Sequence, residues 1–276
     1  MFKVTLSEPV VSVDWLYRQL KAENLIIFDA SIPKITETNN TVSKDIQLPN
    51  AQFLNLKECF SDVSSAFPNT IPSAEQFQTE ARKLGVNADS AIVVYDDKGI
   101  YSSARVWWLF KTFGHNNIAV LDGGLPEWLA QNYPTETSNS NAKPIGDFET
   151  HFNPDNVTYF KDLEKLSHSE KHTIVDARSA ARFYSQIPEP RAGLRSGTIP
   201  NSKNMPFEVC LENGKLKPKV ELQEAFKALS TKENTVVFSC GSGLTACILD
   251  LAANVANYKH TTVYDGSWTE YGTLTQ

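Results

Sequence analysis

Short apolar runs alternate with helix-like stretches along the whole chain. The segment VSVDWLYRQL has a helical pattern, and the apolar run Leu25–Phe28 that follows it predicts a strand ending at Asp29. The same order returns much later, where Thr173–Val175 predicts a strand ending at Asp176. Strands that alternate with helices predict βα units around a parallel sheet, and therefore an α/β fold.

This order of elements occurs twice. Four pairs of similar segments keep their order along the chain: Asp29 with Asp176 (147 residues apart), Pro49 with Pro200 (151), Val93 with Val236 (143) and Val120 with Val263 (143). Such agreement predicts a tandem duplication with domains at 1–135 and 151–276. Residues 136–150, rich in Asn, Ser, Thr and Pro, are predicted to be the linker. The equal separation of the last two pairs predicts that no insertion lies between them.

Composition narrows the class of protein. The 276 residues are 41% hydrophobic, and 32 acidic against 26 basic residues give a net charge of −6. An acidic chain is a poor partner for nucleic acid or anionic lipid, and no apolar run approaches the roughly 18 residues of a membrane span. The chain start lacks the pattern of a signal peptide, so a cytoplasmic location is expected. Four cysteines without a C-x-x-C pair and five scattered histidines predict neither a metal site nor a cofactor.

One cysteine follows a predicted buried strand. Thr235–Phe238 leads through Ser239 into Cys240, and a helix predicted over Leu244–Asn257 comes next. Ligands of parallel sheets bind at the carboxyl ends of the strands, and the glycines after Cys240 permit a tight turn with N–H groups pointing inward. Such groups, with the helix dipole behind them, stabilise a thiolate. The alternative is that Cys240 is a small buried apolar residue.

The repeat predicts that the two domains differ in chemistry. A separation of 143 residues places Asp97 at the position of Cys240, and a carboxylate cannot act as a thiolate does. We therefore expect the first domain to be catalytically silent. Phosphate-ester hydrolysis by Cys240 is disfavoured, because Ala246 stands where a phosphatase loop has its phosphate-binding arginine.

The motifs resemble those of a known family. The loop CGSGLTA, the tandem halves and the arginine-containing stretch from Asp176 to Gly197 are similar to the rhodanese superfamily, in particular the two-domain thiosulfate/mercaptopyruvate sulfurtransferases. A loop without basic residues resembles the mercaptopyruvate branch. The resemblance implies two rhodanese-like domains and a sulfane sulfur carried on Cys240 as a persulfide. The sulfur would come from mercaptopyruvate or thiosulfate, both small anions. It would pass to cyanide or to a thiol, which could be a small molecule or a thioredoxin-like protein.

The resemblance also implies roles for single residues. Arg182 and Arg191 match the positions that bind the donor carboxylate, whereas Arg178 and Arg195 are expected in structural ion pairs. The substrate and persulfide would be held by the loop that follows the cysteine, namely Gly241, Ser242, Gly243, Leu244 and Thr245.

One departure from the family pattern affects the chemistry. Some mercaptopyruvate enzymes are thought to use a Ser–His–Asp relay. Ser242 matches the serine, but Asn69 stands at the histidine position, and Lys57 or Glu58 at the aspartate position. An asparagine donates a hydrogen bond but does not shuttle a proton, so the preferred donor stays open. A non-catalytic or redox-sensing tandem module is the alternative function, although it would need neither the intact loop nor the arginine pair.

Overall fold

The computed structural model describes residues 2–34, 46–137 and 143–275. The chain folds into two compact units, each of which includes a short segment from the other half of the sequence. Unit 1 comprises Met1–Asp62, Ile71–Asn153 and Asn213–Leu216. Unit 2 comprises Val63–Thr70, Pro154–Glu212 and Lys217–Gln276.

Unit 1 contains most of the elements of the first half of the chain. Its strands are β1 (Val10–Val11), β2 (Leu25–Asp29), β3 (Ile46–Gln47), β4 (Ala51–Phe53), β5 (Ala91–Tyr95), β6 (Ile118–Leu121) and β7 (Glu136–Thr137). Its helices are α1 (Val13–Gln19), α2 (Ala74–Lys83), α3 (Ser103–Thr112) and α4 (Gly124–Ala130).

The second half repeats this succession. Its strands are β8 (Val157–Thr158), β9 (His172–Asp176), β10 (Lys203–Asn204), β11 (Leu211–Glu212), β12 (Lys215–Leu216, within unit 1), β13 (Thr235–Ser239) and β14 (Thr261–Tyr264). Its helices are α5 (Phe160–Ser167), α6 (Ala180–Phe183), α7 (Lys219–Lys227), α8 (Ala246–Val255) and α9 (Ser267–Leu274).

Each unit is built on a parallel sheet of five strands, as the described residues show. The order is β1-β6-β5-β2-β4 in unit 1 and β8-β14-β13-β9-β10 in unit 2. Corresponding strands therefore occupy corresponding places, and every neighbouring pair in both sheets is parallel. The predicted α/β fold, with a parallel sheet flanked by helices in each of two units, is confirmed.

The apolar pattern explains the central strands. All five residues of β5 are buried, as are the last four of β13, because helices cover both faces of a parallel sheet. Serine side chains mark where two helices of unit 1 begin. Ser12 Oγ accepts a hydrogen bond from Trp15 N, and Ser73 Oγ accepts one from Gln76 N.

Each unit has its own core. In unit 1 an apolar cluster between β strands and the helices α1 and α4 includes Val13, Leu16, Ile27, Val93, Tyr95, Leu125 and Trp128. In unit 2 the corresponding cluster consists of Leu163, Ile174, Ile199, Val237, Tyr264 and Trp268. Part of the predicted linker packs within unit 1, since Phe148 is buried and its N–H donates to the carbonyl of Val86.

The strand registers show which residue of unit 1 corresponds to Cys240. Tyr95 lies opposite Asp29 in the first sheet, and Ser239 lies opposite Asp176 in the second. The other neighbour agrees, because Val94 pairs with Val120 as Phe238 pairs with Val263.

The next residue after each central strand is therefore Asp96 in unit 1 and Cys240 in unit 2. The backbone agrees, because the carbonyl of Asp96 accepts from Leu125 N at 3.0 Å and that of Cys240 from Trp268 N at 2.9 Å. The prediction that Asp97 occupies the cysteine position is wrong by one residue. The cause is loop length, since α3 begins seven residues after Asp96 and α8 begins six after Cys240.

Candidate active site

Cys240 lies at the carboxyl end of β13, in the middle of the second sheet. It follows the last residue of that strand directly, and only 1% of its surface is exposed. The thiol is free, with no disulfide partner. The parallel sheet thus places Cys240 at the edge where ligands of α/β proteins bind.

The loop after Cys240 presents backbone donors. Among the described residues, no hydrogen-bond acceptor faces the N–H groups of Gly241, Ser242, Leu244 and Thr245. Gly243 makes the tight turn possible with a φ of +76°, which glycine adopts without steric cost. Buried backbone N–H groups are nearly always paired, so a row of them without an acceptor is suited to an anion.

The equivalent loop of unit 1 already contains an anion. The Asp96 carboxylate is fully buried and accepts hydrogen bonds from the N–H groups of Lys98 (2.9 Å), Tyr101 (2.8 Å) and Ser103 (2.9 Å). Gly99 turns this loop with a φ of +95°, as Gly243 turns the other. The same scaffold therefore holds a carboxylate in one unit and presents a thiol in the other.

Residues at the start of α9 hold the backbone of the cysteine loop in place through hydrogen bonds. Ser267 Oγ accepts from the N–H groups of Cys240 (3.0 Å) and Gly243 (3.2 Å). The N–H groups of Trp268 and Thr269 donate to the carbonyls of Cys240 and Gly241, both at 2.9 Å. These contacts hold the loop backbone on both sides of the thiol.

Arg182 approaches the loop at Gly241. A side chain at Gly241 would meet Arg182 Nη2 at 3.0 Å, so this close approach depends on the missing Cβ. Arg182 Nε and Nη2 donate to the buried Glu189 carboxylate, which also accepts from Arg178 Nη1 at 2.8 Å. Glu189 thus orients both arginines.

Arg178 lies in a structural ion pair. Its guanidinium is fully buried and pairs with Asp176, with Nη2 to Oδ2 at 2.6 Å. Burial raises the pKa of the Asp176 carboxyl, and the Arg178 charge opposes that shift. Arg178 and Arg195 each stack on the Trp268 ring at 4.7 Å. Arg195 also donates to the carbonyl and to the hydroxyl of Thr275, and the ion pair expected for it is not found among the described residues.

Ser242 is contacted by two of the other residues that the sequence analysis named, Arg191 and Asn69. Its hydroxyl oxygen accepts from Arg191 Nη2 at 3.1 Å and from Asn69 Nδ2 at 3.0 Å. Asn69 Nδ2 also lies 3.0 Å from the Ser242 carbonyl. Asn69 belongs to the segment Val63–Thr70, which is part of unit 2. A segment from the first half of the sequence thus contributes to the surroundings of Cys240.

The remaining cysteines are placed for packing. Burial raises the pKa of Cys210 to about 12, and burial also raises the pKa of Cys59. Both thiols therefore stay protonated at neutral pH. Cys247 is fully buried on α8 and its thiol donates to the carbonyl of Gly243 at 3.2 Å.

The structure brings Cys240, its loop, Arg182 and Arg191 together, and it adds Glu189 and Ser267 to that set. The sequence does not indicate Glu189, because its contacts with Arg178 and Arg182 exist only in the folded chain. Ser267 was missed although a signal existed. Of the two repeated segments, VLDGG in unit 1 ends in a glycine, whereas VYDGS in unit 2 ends in Ser267.

Comparisons with known proteins agree with this geometry. A model of the rhodanese-like domain matches residues 12–131 and again 160–273. A mitochondrial thiosulfate/3-mercaptopyruvate sulfurtransferase of Arabidopsis thaliana is 38% identical, over 98% of this chain and 77% of that protein. The human 3-mercaptopyruvate sulfurtransferase is 35% identical, over 96% of this chain and 92% of that protein. The crystal structure of a 3-mercaptopyruvate sulfotransferase of Escherichia coli superposes with a TM-score of 0.85 at 32% identity, covering 95% of this chain and 99% of that one.

The chain belongs to the rhodanese family, with two rhodanese-like domains in tandem. It is a sulfurtransferase, and its similarity to the mercaptopyruvate branch confirms the resemblance seen in the loop sequence. Among residues 2–34, 46–137 and 143–275, no helix is both long enough and apolar enough to span a membrane.

Proposed function

We propose that the protein moves a sulfane sulfur from mercaptopyruvate, or less effectively from thiosulfate, through a persulfide on Cys240 to a thiol acceptor. One observation carries this proposal. In unit 1 the N–H groups of this loop bind the Asp96 carboxylate. The N–H groups of Gly241, Ser242, Leu244 and Thr245 in the equivalent loop have no acceptor among the described residues. That arrangement supports an anionic sulfur at the position where unit 1 has Asp96.

The first half-reaction forms the persulfide. The Cys240 thiolate attacks the thiol sulfur of mercaptopyruvate, the S–S bond forms, and the C–S bond breaks. The bonding pair of the broken bond leaves with the three-carbon fragment as the enolate of pyruvate, which is then protonated. With thiosulfate the same attack would release sulfite.

In the second half-reaction the acceptor thiolate attacks the outer sulfur of the persulfide. A new S–S bond forms on the acceptor, and Cys240 leaves as the thiolate that began the cycle. The negative charge is on the Cys240 sulfur at the start and end of each turnover. Stabilisation by the N–H groups of Gly241, Ser242, Leu244 and Thr245 would therefore serve both half-reactions, whereas the N–H of Gly243 donates to Ser267 Oγ.

Ser242 is suited to the charge that develops on the leaving enolate. Its oxygen accepts from Arg191 and from Asn69, so its own proton is the group left to donate to a substrate oxygen. Neither donor titrates near neutral pH, because arginine stays charged and an asparagine amide does not ionise. We propose that Ser242 donates a hydrogen bond to the donor's carbonyl oxygen.

Arg182 and Arg191 would bind the donor carboxylate. Both lie at the cysteine loop, one beside Gly241 and the other on Ser242. A planar guanidinium binds a carboxylate through two parallel N–H bonds, which fixes the orientation of the donor as well as its position. Thiosulfate lacks a carboxylate, so this contact favours mercaptopyruvate.

The test compares the two donors in steady state. The wild-type kcat/KM should be higher for mercaptopyruvate than for thiosulfate with the same small thiol as acceptor. Cys240→Ser should abolish turnover of both donors, whereas the matched variant Cys247→Ser should retain it. Full activity of Cys240→Ser would refute the assignment, and a preference for thiosulfate would refute the choice of donor.

The acceptor class and the location complete the proposal. We infer a thiol acceptor, either a small molecule or a thioredoxin-like protein, and a cytoplasmic location. Four free cysteines support a reducing compartment. Turnover with a small thiol alone, with a thioredoxin-like protein alone, and with both identifies the acceptor, and fractionation of cells tests the location.

A further inference from the structure

Ser267 has a backbone conformation that is unfavourable for a serine. Its φ is +52°, in the left-handed region, and its side chain is fully buried at the start of α9. A residue with a Cβ adopts this conformation only at a cost in free energy, whereas glycine adopts it at almost none. A serine at this position must therefore contribute something that glycine would not.

Unit 1 has a glycine, which adopts this conformation without strain, at the same place. Gly124 begins α4 as Ser267 begins α9, and its φ is also +52°. A Cβ on Gly124 would overlap the carbonyl oxygen of Asp96 and would lie 2.6 Å from that of Gly99. The loop with the buried carboxylate thus leaves no space for a side chain, while the loop with the thiol accommodates one.

The Ser267 hydroxyl faces the reacting sulfur. Its oxygen accepts from the N–H groups of Cys240 and Gly243, which occupies its two lone pairs. Its single proton has two acceptors within reach, the carbonyl of Tyr264 at 2.9 Å and Cys240 Sγ at 3.8 Å. One proton cannot serve both acceptors fully, so the charge on the sulfur decides which of them it serves.

We propose that Ser267 is a hydrogen-bond donor to the reacting sulfur, whose hydroxyl proton turns from the Tyr264 carbonyl to Cys240 Sγ when that sulfur is negatively charged. A neutral thiol is a weak acceptor, so the carbonyl holds the proton in the resting state. A thiolate is a charged acceptor and forms the stronger hydrogen bond. Ser267 would then stabilise the attacking thiolate and the same thiolate when it leaves. The proposal rests on the proposed persulfide function and adds a side-chain donor to it.

The test measures the thiolate directly, without a sulfur donor. The rate of alkylation of Cys240 by iodoacetamide is followed against pH, with the labelled peptide identified by mass. In Ser267→Ala and Ser267→Gly, the pH of half-maximal rate should rise by about one to two units, the shift expected for loss of a hydrogen bond to a charged group. The kcat for sulfur transfer should fall by about 10- to 100-fold.

Two variants and a control separate this role from a structural one. Glycine suits a φ of +52°, so Ser267→Gly keeps the test available if the alanine variant does not fold. Asn257→Gly, at a φ of +67° after α8, is the matched control and should leave the alkylation profile unchanged. An unchanged profile in the folded Ser267 variants would overturn the proposal. Because alkylation needs no donor, failure of wild-type sulfur transfer would refute the proposed function without affecting this test.

Discussion

The Asn69 amide nitrogen lies 3.0 Å from the Ser242 hydroxyl oxygen, two residues from Cys240 in the loop. Asn69 has a φ of +60°, a conformation that asparagine tolerates better than most residues. The amide also reaches the Ser242 carbonyl, so one side chain holds both the backbone and the hydroxyl of that serine. Asn69, predicted to stand at the histidine position of the relay, thus makes a definite contact with Ser242.

Removing this amide should slow sulfur transfer. In Asn69→Gly the backbone keeps its favoured conformation, but Ser242 loses one of two donors that orient its hydroxyl. We expect kcat/KM for mercaptopyruvate to fall by about 5- to 30-fold, the equivalent of one or two hydrogen bonds. Asn132→Gly, also at positive φ (+55°) but in unit 1, is the control and should keep full activity. Equal activity in both variants would argue against a role for Asn69.

Arg191→Ala should affect one donor more than the other. Loss of the guanidinium should raise KM for mercaptopyruvate by about 10- to 100-fold and change KM for thiosulfate much less. Arg191→Lys should recover part of the loss, because lysine keeps the charge but not the planar pair of donors. Steady-state kinetics with both donors provides the measurement. An equal rise in KM for both donors would exclude the carboxylate-binding role.

Much of the fold could be predicted because it depends on local patterns. The apolar runs at Leu25 and Val236, the glycines after Cys240 and the repeated order of elements are properties of short segments. They suffice for two parallel sheets with Cys240 at the carboxyl end of a central strand. The resemblance then brought Arg182 and Arg191 to the same site, where the structure places them.

The omissions come from contacts between distant parts of the chain. Ser242 meets Asn69 across 173 residues, and Cys240 meets Ser267 across 27. No pattern within a segment encodes such contacts. The misplacement of Asp97 has another cause, since equal spacing of the flanking segments concealed a one-residue difference in the loop, which only the strand register reveals.

Two glycines of unit 2 offer a matched test of the packing behind the site. Gly197 has a φ of +143°, and a Cβ there would lie 2.7 Å from Arg195 Nη1 and 2.9 Å from the Trp268 ring. Gly193, at a φ of +78°, has no heavy atom within 4 Å of its Cβ position. Gly193→Ala should cost about 1 kcal/mol of unfolding free energy, and Gly197→Ala about 2–4 kcal/mol. Urea denaturation measures the free energy of unfolding of both variants. Equal losses in the two variants would contradict the close packing of Arg195 and Trp268 against Gly197.

His115 should make unit 1 less stable in mild acid. Burial lowers the pKa of His115, whose Nε2 lies 2.9 Å from the Ser90 carbonyl oxygen. Below the unfolded pKa of about 6.5 the unfolded chain binds a proton at His115 that the folded chain does not. The free energy of unfolding should therefore fall as pH drops from 7 towards 5. His115→Gln should reduce that slope, and an identical slope in the wild type and the variant would contradict this account.

The central claim is that Cys240 alone carries the transferred sulfur, and intact-protein mass spectrometry tests it most directly. Wild-type protein given mercaptopyruvate without an acceptor should gain one sulfur atom, about 32 Da, and peptide mapping should place it on Cys240. Addition of a thiol acceptor should remove it. Cys240→Ser should gain nothing, while Cys247→Ser should gain the same mass as the wild type. A sulfur adduct on another cysteine, or turnover by the wild type through a path that never labels Cys240, would contradict the account.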